Sequence, residues 1–232
     1  MSQCNHTHGL CVTKVPIFSE LSNEKLLEIN SLVQKKEYKS GEIIYHEGDP
    51  SEYLYIIESG LVKLFKIGKN GNEYILRLLK SGQFFGELVL FKDDVLNSSA
   101  ETIGDCSICI IHKNDLEQLI KNSSEISYSI LAAVTNRLNQ AEIQLQSIVL
   151  EDAMEKTLRL LLELAKEDGI KNEEGILIDL PLSRAGLASL IGISNETLSR
   201  KLSELQEEGT LLIKGQKQIL LKIPLRDDQL KE

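Results

Sequence analysis

The hydrophobic period of the chain changes after Ile108, and no other feature constrains its fold as strongly. Before this point, short apolar runs alternate with polar residues and end at glycines; they cover residues 42–45, 53–57, 61–65 and 74–78. Strands spaced in this way predict a compact antiparallel β-roll. We expect turns at Ser59-Gly60 and at Asn70-Gly71, the second of type I′, in which both central residues have positive φ.

After the change, the apolar residues follow a helical period. Residues 123–150 contain neither Gly nor Pro, and one stripe follows a 3,4,3,4,3 spacing: Leu131, Val134, Leu138, Ala141, Leu145 and Ile148. Such a stripe can pack on its own domain or form the seam of a coiled coil. We favour a dimer seam, because the helix joins two differently built halves and its stripe extends about 27 Å.

The pattern beyond residue 150 is typical of a winged helix-turn-helix. A helix over residues 152–166 ends at Asp168-Gly169, and residues 176–180 alternate like a short strand. Ser183 then caps a short helix that Gly192 ends, and Ser194 caps a second helix with inward Leu198, Leu202 and Leu205. Residues 210–223 predict a β-hairpin, the wing.

The sequence thus predicts an α+β chain with three parts. Residues 1–122 form an N-terminal segment and β-roll sensor domain, residues 123–150 a long dimerisation helix, and residues 151–232 a winged helix-turn-helix domain that binds DNA.

The second helix of this motif carries side chains suited to reading bases. Glu196, Ser199 and Arg200 share one face, and Asn195 precedes them. Arg can donate two hydrogen bonds to guanine, Glu can accept one from cytosine, and Ser can do either. The competing interpretation is an ordinary surface helix with an ion pair between Glu196 and Arg200. Candidates for phosphate contacts are Lys201, Lys214, Lys217 and Ser183.

The charge balance limits how the chain could bind nucleic acid. The net charge is −9, and residues 152–232 carry 12 Lys and Arg against 15 Asp and Glu. Any DNA binding must therefore come from a small basic face. No apolar run is long enough to span a membrane, and the N-terminus does not resemble a signal peptide, so we expect a cytoplasmic protein.

Two motifs together resemble the Crp/Fnr family of transcription regulators. They are ETLSR at residues 196–200 and GQFFGEL at residues 82–88, and the resemblance covers nearly the whole chain. It implies a cyclic-nucleotide-binding-domain-like jelly roll, a homodimer on near-palindromic DNA, and a contact with RNA polymerase. Glu-x-x-Ser-Arg resembles the Fnr branch, which reads TTGAT-type half-sites. The Crp branch has Arg before the Glu and Gly before the second Arg, where this chain has Asn195 and Ser199.

The resemblance also indicates where an effector could bind. Family members that bind cyclic nucleotides have Gly-Glu-Leu followed by Arg-Ser-Ala, in which the Arg pairs with the phosphate. This chain has Asn97 in place of that Arg, and a buried phosphate without a guanidinium is unfavourable. We therefore do not expect cAMP. The candidate effector residues are Gly86, Glu87, Leu88, Ser98 and Ser99.

The four cysteines, Cys4, Cys11, Cys106 and Cys109, suggest redox or oxygen sensing. Cys109 matches the internal cluster ligand of the Fnr branch, but only two cysteines lie near the N-terminus. All four thiolates could hold an iron-sulfur cluster. Alternatively, an N-terminal thiol could form a reversible disulfide with Cys106 or Cys109, as in the similar Fnr-like proteins of lactic acid bacteria. Zinc at Cys4, His6, His8 and Cys11 is a third arrangement.

In the competing interpretation, Cys106 and Cys109 are ordinary buried strand residues and the N-terminus has no sensing role. A C-x-x-C on a strand directs its two thiols to opposite faces, so both cannot reach one cluster unless Cys106 lies in the turn after Gly104-Asp105.

Two other functional classes are weaker. A cupin-like enzyme needs an HxH pair inside the roll, but His6 and His8 precede the roll, and His46 and His112 stand apart. A pure interaction module would have no use for a base-reading helix. We expect a regulator that is not an enzyme.

Overall fold

The computed structural model describes residue 18 and residues 22–50, 52–87 and 95–222, and the chain forms two compact units, Met1–Ala141 and Glu142–Glu232. The elements are α1 (Asn23–Leu32), β1 (Gln34–Tyr38), β2 (Ile43–Tyr45), β3 (Tyr53–Ile67), β4 (Glu73–Lys80), β5 (Phe84–Phe85), β6 (Ser99–His112), α2 (Lys113–Asn122), α3 (Ser124–Leu150), α4 (Ala153–Asp168), β7 (Ile170–Asn172), β8 (Gly175–Asp179), α5 (Arg184–Leu190), α6 (Asn195–Glu207), β9 (Leu211–Lys214) and β10 (Gln218–Leu221).

The first unit is built on a six-stranded antiparallel sheet. Its main order is β1-β6-β3-β4, with β2 paired to β6 and β5 paired to β3. One core, the roll-interior cluster, lies within it and includes Tyr45, Tyr55, Phe85 and Cys106. A second core, the helix-covered cluster, includes Phe18, Ile29, Leu54, Cys109, Leu116 and Ile126. The predicted antiparallel roll is confirmed.

One turn prediction in the roll is wrong, and a second has the wrong turn type. Ser59-Gly60 does not end a strand, because β3 continues from Tyr53 to Ile67. Gly60 has φ +96° and lies at a register shift, where an added Cβ would come within 2.4 Å of Cys106 Sγ. Gly60 therefore lies in a β-bulge inside a long strand and not in a turn.

The hairpin between β3 and β4 is not of type I′. Gly71 N–H donates to Gly68 O at 2.9 Å, and Gly71 has φ +78°. Asn70 keeps a negative φ, and its side chain accepts a hydrogen bond from Asn72 N–H at 3.1 Å. Only the glycine takes the left-handed conformation, because Gly has no Cβ penalty there.

The long helix α3 confirms the predicted span, but its apolar stripe divides between two environments. Val134 is half-buried against the helix-covered cluster. Leu131, Leu138 and Leu145 remain 64%, 61% and 63% exposed, and Ala141 is exposed as well. The side chain of Ile148 lies outside the described residues. None of the helices in the described ranges combines the length and the apolar character that a membrane crossing requires.

The second unit packs three helices on a small sheet. Gly169 ends α4, as predicted. Asp152, predicted as the first residue of this helix, instead caps it in a capping box with Glu155. The sheet order is β7-β8-β10-β9, and the sequence analysis missed the short edge strand β7. The core comes from α4, α5, α6 and the sheet: Leu160, Leu161, Leu164, Ile178, Leu187, Leu198, Leu202, Leu205, Leu211 and Ile219.

Candidate nucleic-acid interface

Two capped helices joined at a glycine form the helix-turn-helix. The Ser183 hydroxyl accepts from Gly186 N–H at 3.2 Å at the start of α5, and the Ser194 hydroxyl accepts from Thr197 N–H at 3.1 Å at the start of α6. Gly192 between them has φ +70°. Both predicted caps are confirmed, because each hydroxyl satisfies an N–H group that a helix start leaves unpaired.

Helix α6 has one buried face and one polar face. Leu198, Leu202 and Leu205 are at most 2% exposed. On the outward side, Asn195, Glu196 and Arg200 are exposed, and Ser199 is half-buried. The side chains that suit base edges are therefore turned away from the core, as the sequence predicts.

Glu196 is held in its charged form. Hydrogen bonds from its own backbone N–H and from the Ser194 hydroxyl lower the pKa of the Glu196 carboxyl. The carboxylate can therefore accept hydrogen bonds at neutral pH.

Three basic side chains near α6 and the wing have acidic neighbours. Arg200 Nε lies 3.8 Å from Glu204 Oε1, so Arg200 pairs with Glu204 and not with Glu196 as the surface-helix interpretation expected. Lys201 Nζ lies 2.6 Å from Glu204 Oε2, and Lys214 Nζ lies 3.4 Å from Glu174 Oε2.

The wing is tied to α6. Gln206 Oε1 accepts from Ile213 N–H at 2.9 Å, which links the end of α6 to strand β9. Strand β10 pairs with both β9 and β8, and the turn between β9 and β10 exposes Gly215 and Lys217.

A separate charged cluster lies in the first unit, around Glu87. Glu87 Oε1 contacts Arg137 Nη1 of α3, and the two side chains are only 18% and 22% exposed. Arg137 Nη2 is buried and has no hydrogen-bond partner among the described residues. The guanidinium also lies 5.8 Å from the ring centre of Phe84. A buried donor of this kind is able to bind an anion or a carbonyl.

Arg77 and Tyr45 complete this cluster. Burial raises the pKa of the Glu87 carboxyl, whereas its backbone N–H and Arg77 act in the opposite direction. The contact with Arg137 also favours the charged carboxylate. Burial lowers the pKa of the Arg77 guanidinium, and Glu87 opposes that shift. Burial also raises the pKa of the Tyr45 phenol.

The other predicted effector residues fall into different surroundings. Ser98 and Ser99 are buried, and Ser99 Oγ accepts from Glu47 N–H at 3.0 Å. Gly86 has φ +80°, and a Cβ there would lie 2.8 Å from Tyr53 O, so this position requires Gly. Leu88 lies outside the described residues.

The two strand cysteines do not meet. Cys106 belongs to the roll-interior cluster and Cys109 to the helix-covered cluster, so β6 directs them to opposite faces. Cys106 Sγ accepts from Leu61 N–H at 3.3 Å and donates to Leu61 O at 3.1 Å, and burial raises the pKa of its thiol. They therefore do not fit as joint ligands of one iron-sulfur cluster.

The rest of the predicted metal-binding set is not brought together in the described part. Within the described ranges, no three His, Cys, Asp or Glu side chains are grouped as a metal site. Cys4, His6, His8 and Cys11 lie outside those ranges. His112 instead caps α2 by accepting from Asn114 N–H.

Sequence reasoning missed Arg77, Arg137 and Glu204. A signal existed for Arg77, which lies two residues before buried Leu79 on β4 and so shares its inward face. A signal existed for Glu204 as well, because it lies four residues after Arg200 on the same helix. The partner of Arg137 follows only from the three-dimensional structure.

Comparisons with known proteins agree with this architecture. Residues 35–123 match the cyclic nucleotide-binding domain, and residues 155–225 match the Crp-like helix-turn-helix domain. The cyclic AMP receptor protein of Thermus thermophilus is 30% identical over 84% of this chain and 88% of its own length. The anaerobic regulatory protein of Bacillus subtilis is 26% identical over 89% and 87%.

A solved structure gives the same result. The c-di-GMP responsive global regulator of Xanthomonas campestris matches with a TM-score of 0.77 and 26% identity, over 86% of this chain and 99% of that one. These relatives are transcription regulators rather than enzymes, and Crp-like helix-turn-helix regulators bind DNA and typically dimerise. From the two domain matches and the Thermus relative, the chain belongs to the Crp/Fnr family of DNA-binding transcription regulators.

Proposed function

We propose that two copies of this chain bind a near-palindromic DNA site and place one α6 helix in the major groove of each TTGAT-type half-site. The observation that carries the proposal is the polar face of α6, where Glu196, Ser199 and Arg200 lie opposite the buried leucines. Arg200 would donate to a guanine, Glu196 would accept from a cytosine amine, and Ser199 would contact a neighbouring base. Asn195, at the start of α6, is the position that would most alter the preferred sequence.

Contacts with phosphate would fix the register of α6. Ser183 uses its oxygen to cap α5 and keeps its O–H as a donor. Lys201, Lys214 and Lys217 would add charge. Bound in this way, the dimer would contact RNA polymerase to control transcription.

Helix α3 would provide the dimer seam. Its exposed leucines, Leu131, Leu138 and Leu145, recur every seven residues and so form one line along the helix. We keep the proposed limits of the parts: residues 1–122 for the sensor domain, 123–150 for the dimerisation helix and 151–232 for the DNA-binding domain. In this proposal the protein acts in the cytoplasm.

Fluorescence anisotropy with a labelled TTGAT palindrome and a scrambled duplex tests the proposal. Arg200→Ala should weaken binding to the palindrome by about 1 to 3 kcal/mol, or roughly 5- to 150-fold, because a bidentate base contact is lost. Arg200→Lys is the matched control: it keeps the charge, so binding to the scrambled duplex should be retained while discrimination falls. Discrimination like that of the wild type in both variants would contradict the proposal.

The signal we favour is a change in thiol redox state through Cys109. Its cluster contains Phe18, Leu26 and Ile29, so Cys109 lies on the side of the sheet that residues close to the N-terminus cover. This supports a disulfide between Cys109 and Cys4 or Cys11, formed when an oxidant removes two electrons and the two thiols lose their protons, or the use of these thiolates as ligands of a cluster.

The test compares DNA binding of oxidised and reduced protein. Cys109→Ser should abolish the difference and Cys106→Ser should not. Ultraviolet-visible spectra and an iron and sulfide assay of anaerobically purified protein separate the two chemistries. Equal DNA binding in both redox states would exclude this signal.

A small-molecule effector is the second candidate. It is favoured by Arg137, whose guanidinium contacts Glu87 and whose Nη2 has no hydrogen-bond partner in the described part of the chain. The Thermus relative is named a cyclic AMP receptor, and the Xanthomonas regulator is described as c-di-GMP responsive. Because Asn97 replaces the phosphate-binding Arg, we propose an anion other than cAMP. Calorimetric titration with cAMP, c-di-GMP and inorganic phosphate tests this. Binding of c-di-GMP or phosphate that is lost in Arg137→Ala supports the proposal, whereas binding of cAMP, or no heat from any of the three, opposes it.

A further inference from the structure

One carboxylate, Glu204, faces two cations of the reading helix. Its Oε1 lies 3.8 Å from Arg200 Nε, and its Oε2 lies 2.6 Å from Lys201 Nζ. Glu204 and Lys201 are partly buried, with side chains 37% and 23% exposed. Water therefore screens their pair less than a fully exposed one.

The charge balance of this unit makes the pairing of Glu204 with Arg200 and Lys201 important for DNA binding. Residues 152–232 have three more acidic than basic residues, so few cations are available for DNA. Binding to DNA of any sequence depends on free Lys and Arg, because each phosphate contact releases counterions. A cation held by Glu204 must break that pair before it can neutralise a phosphate.

We propose that Glu204 is a specificity-determining residue, which weakens binding to non-cognate DNA more than binding to the cognate site. This inference rests on the proposed role of α6. On non-cognate DNA, Arg200 and Lys201 could contribute only phosphate contacts, and Glu204 competes with both.

Binding to the cognate site responds differently to the loss of Glu204. There, Arg200 contacts a base edge, and a carboxylate one turn away on the same face attracts its guanidinium at 3.8 Å. Removing Glu204 would free Lys201 but release Arg200 from that attraction, so the gain on the cognate site is partly cancelled.

Glu204→Gln tests the proposal because it removes the charge and keeps the shape. Glu207→Gln is the matched control: it makes the same charge change at an exposed position of α6 that the structure assigns to no ion pair within its described part. Anisotropy is measured for the palindrome and the scrambled duplex over a range of salt concentrations, after thermal melting has shown that each variant folds.

For Glu204→Gln on the scrambled duplex, we expect a slope of log K against log salt that is steeper by about 0.9, as for one added phosphate contact. One added contact makes the binding constant fall roughly eightfold more between 0.1 M and 1 M salt. Binding to the palindrome should change by about twofold or less, so the ratio between the two duplexes falls.

An equal gain on both duplexes, or a change no larger than in Glu207→Gln, would overturn the role of Glu204 and leave the proposed function intact. A wild-type protein that does not distinguish the two duplexes would instead refute the proposed function, and this inference with it.

Discussion

The exposed leucines of α3 lead to a quantitative prediction for dimerisation. Leu138 is 61% exposed, between Leu131 and Leu145 with similar exposure. Burial of a whole Leu side chain contributes about 1.5 to 3 kcal/mol, so burial of the remaining area at a seam contributes about 1 to 2 kcal/mol. A two-fold seam contains the residue twice, so Leu138→Ala should cost about 2 to 4 kcal/mol of dimer stability. The dimer Kd should rise roughly 30- to 700-fold.

Sedimentation equilibrium of the wild type and the variant measures this change directly. Ala is a strong helix former, so far-ultraviolet circular dichroism should remain unchanged. The control is Leu27→Ala, which removes an equally apolar side chain that is 54% exposed on α1, away from the stripe. If Leu138→Ala and Leu27→Ala have the same small effect on the dimer Kd, then α3 is not the seam.

Three further predictions concern stability, pH and thiol reactivity. Leu202 is fully buried, so Leu202→Ala should lower the free energy of unfolding of the second unit by about 2 to 5 kcal/mol, measured by urea denaturation. Hydrogen bonds from the Glu155 and Met154 N–H groups lower the pKa of Asp152 below its ordinary value of 3.8. The Asp152 carboxylate therefore stabilises the folded protein above pH 3.8, and this stabilisation is lost as the pH falls through its lower pKa in the folded state. Asp152→Asn should make the urea midpoint of unfolding less dependent on pH between pH 5 and 2.5. In a Cys4→Ser, Cys11→Ser background, buried Cys106 and Cys109 should react with Ellman's reagent only after denaturation; rapid reaction of the native protein would contradict their burial.

Local signals in the sequence were sufficient for most of the helices. Asp152, Ser183 and Ser194 mark helix starts because a capping side chain bonds to N–H groups two or three residues away. The long span of α3 also follows from the absence of Gly and Pro. These features depend on neighbours along the chain, so they can be recognised without knowledge of the fold.

Long-range pairing overrode the local signal at Ser59-Gly60. Strand β3 pairs with β6 on both sides of this dipeptide, and the register shifts there. Gly104 on β6 also has a positive φ, at +78°, so both strands bend in the same region. A turn dipeptide inside a strand and one between strands have the same sequence, and only the partner strand distinguishes them.

The ion pair of Arg200 shows why the partners in a site are harder to predict than its members. Carboxylates lie four residues before and four residues after Arg200, and helix geometry permits a pair with either. The preceding one, Glu196, has the better orientation in isolated helices. In this chain, however, Glu196 accepts hydrogen bonds from its own N–H and from the capping Ser194. The helix start thus competes for Glu196, and Arg200 pairs with Glu204. The same competition leaves Glu196 on the outward face, without an ion pair inside the described helix α6, so its carboxylate is available for the proposed contact with a base.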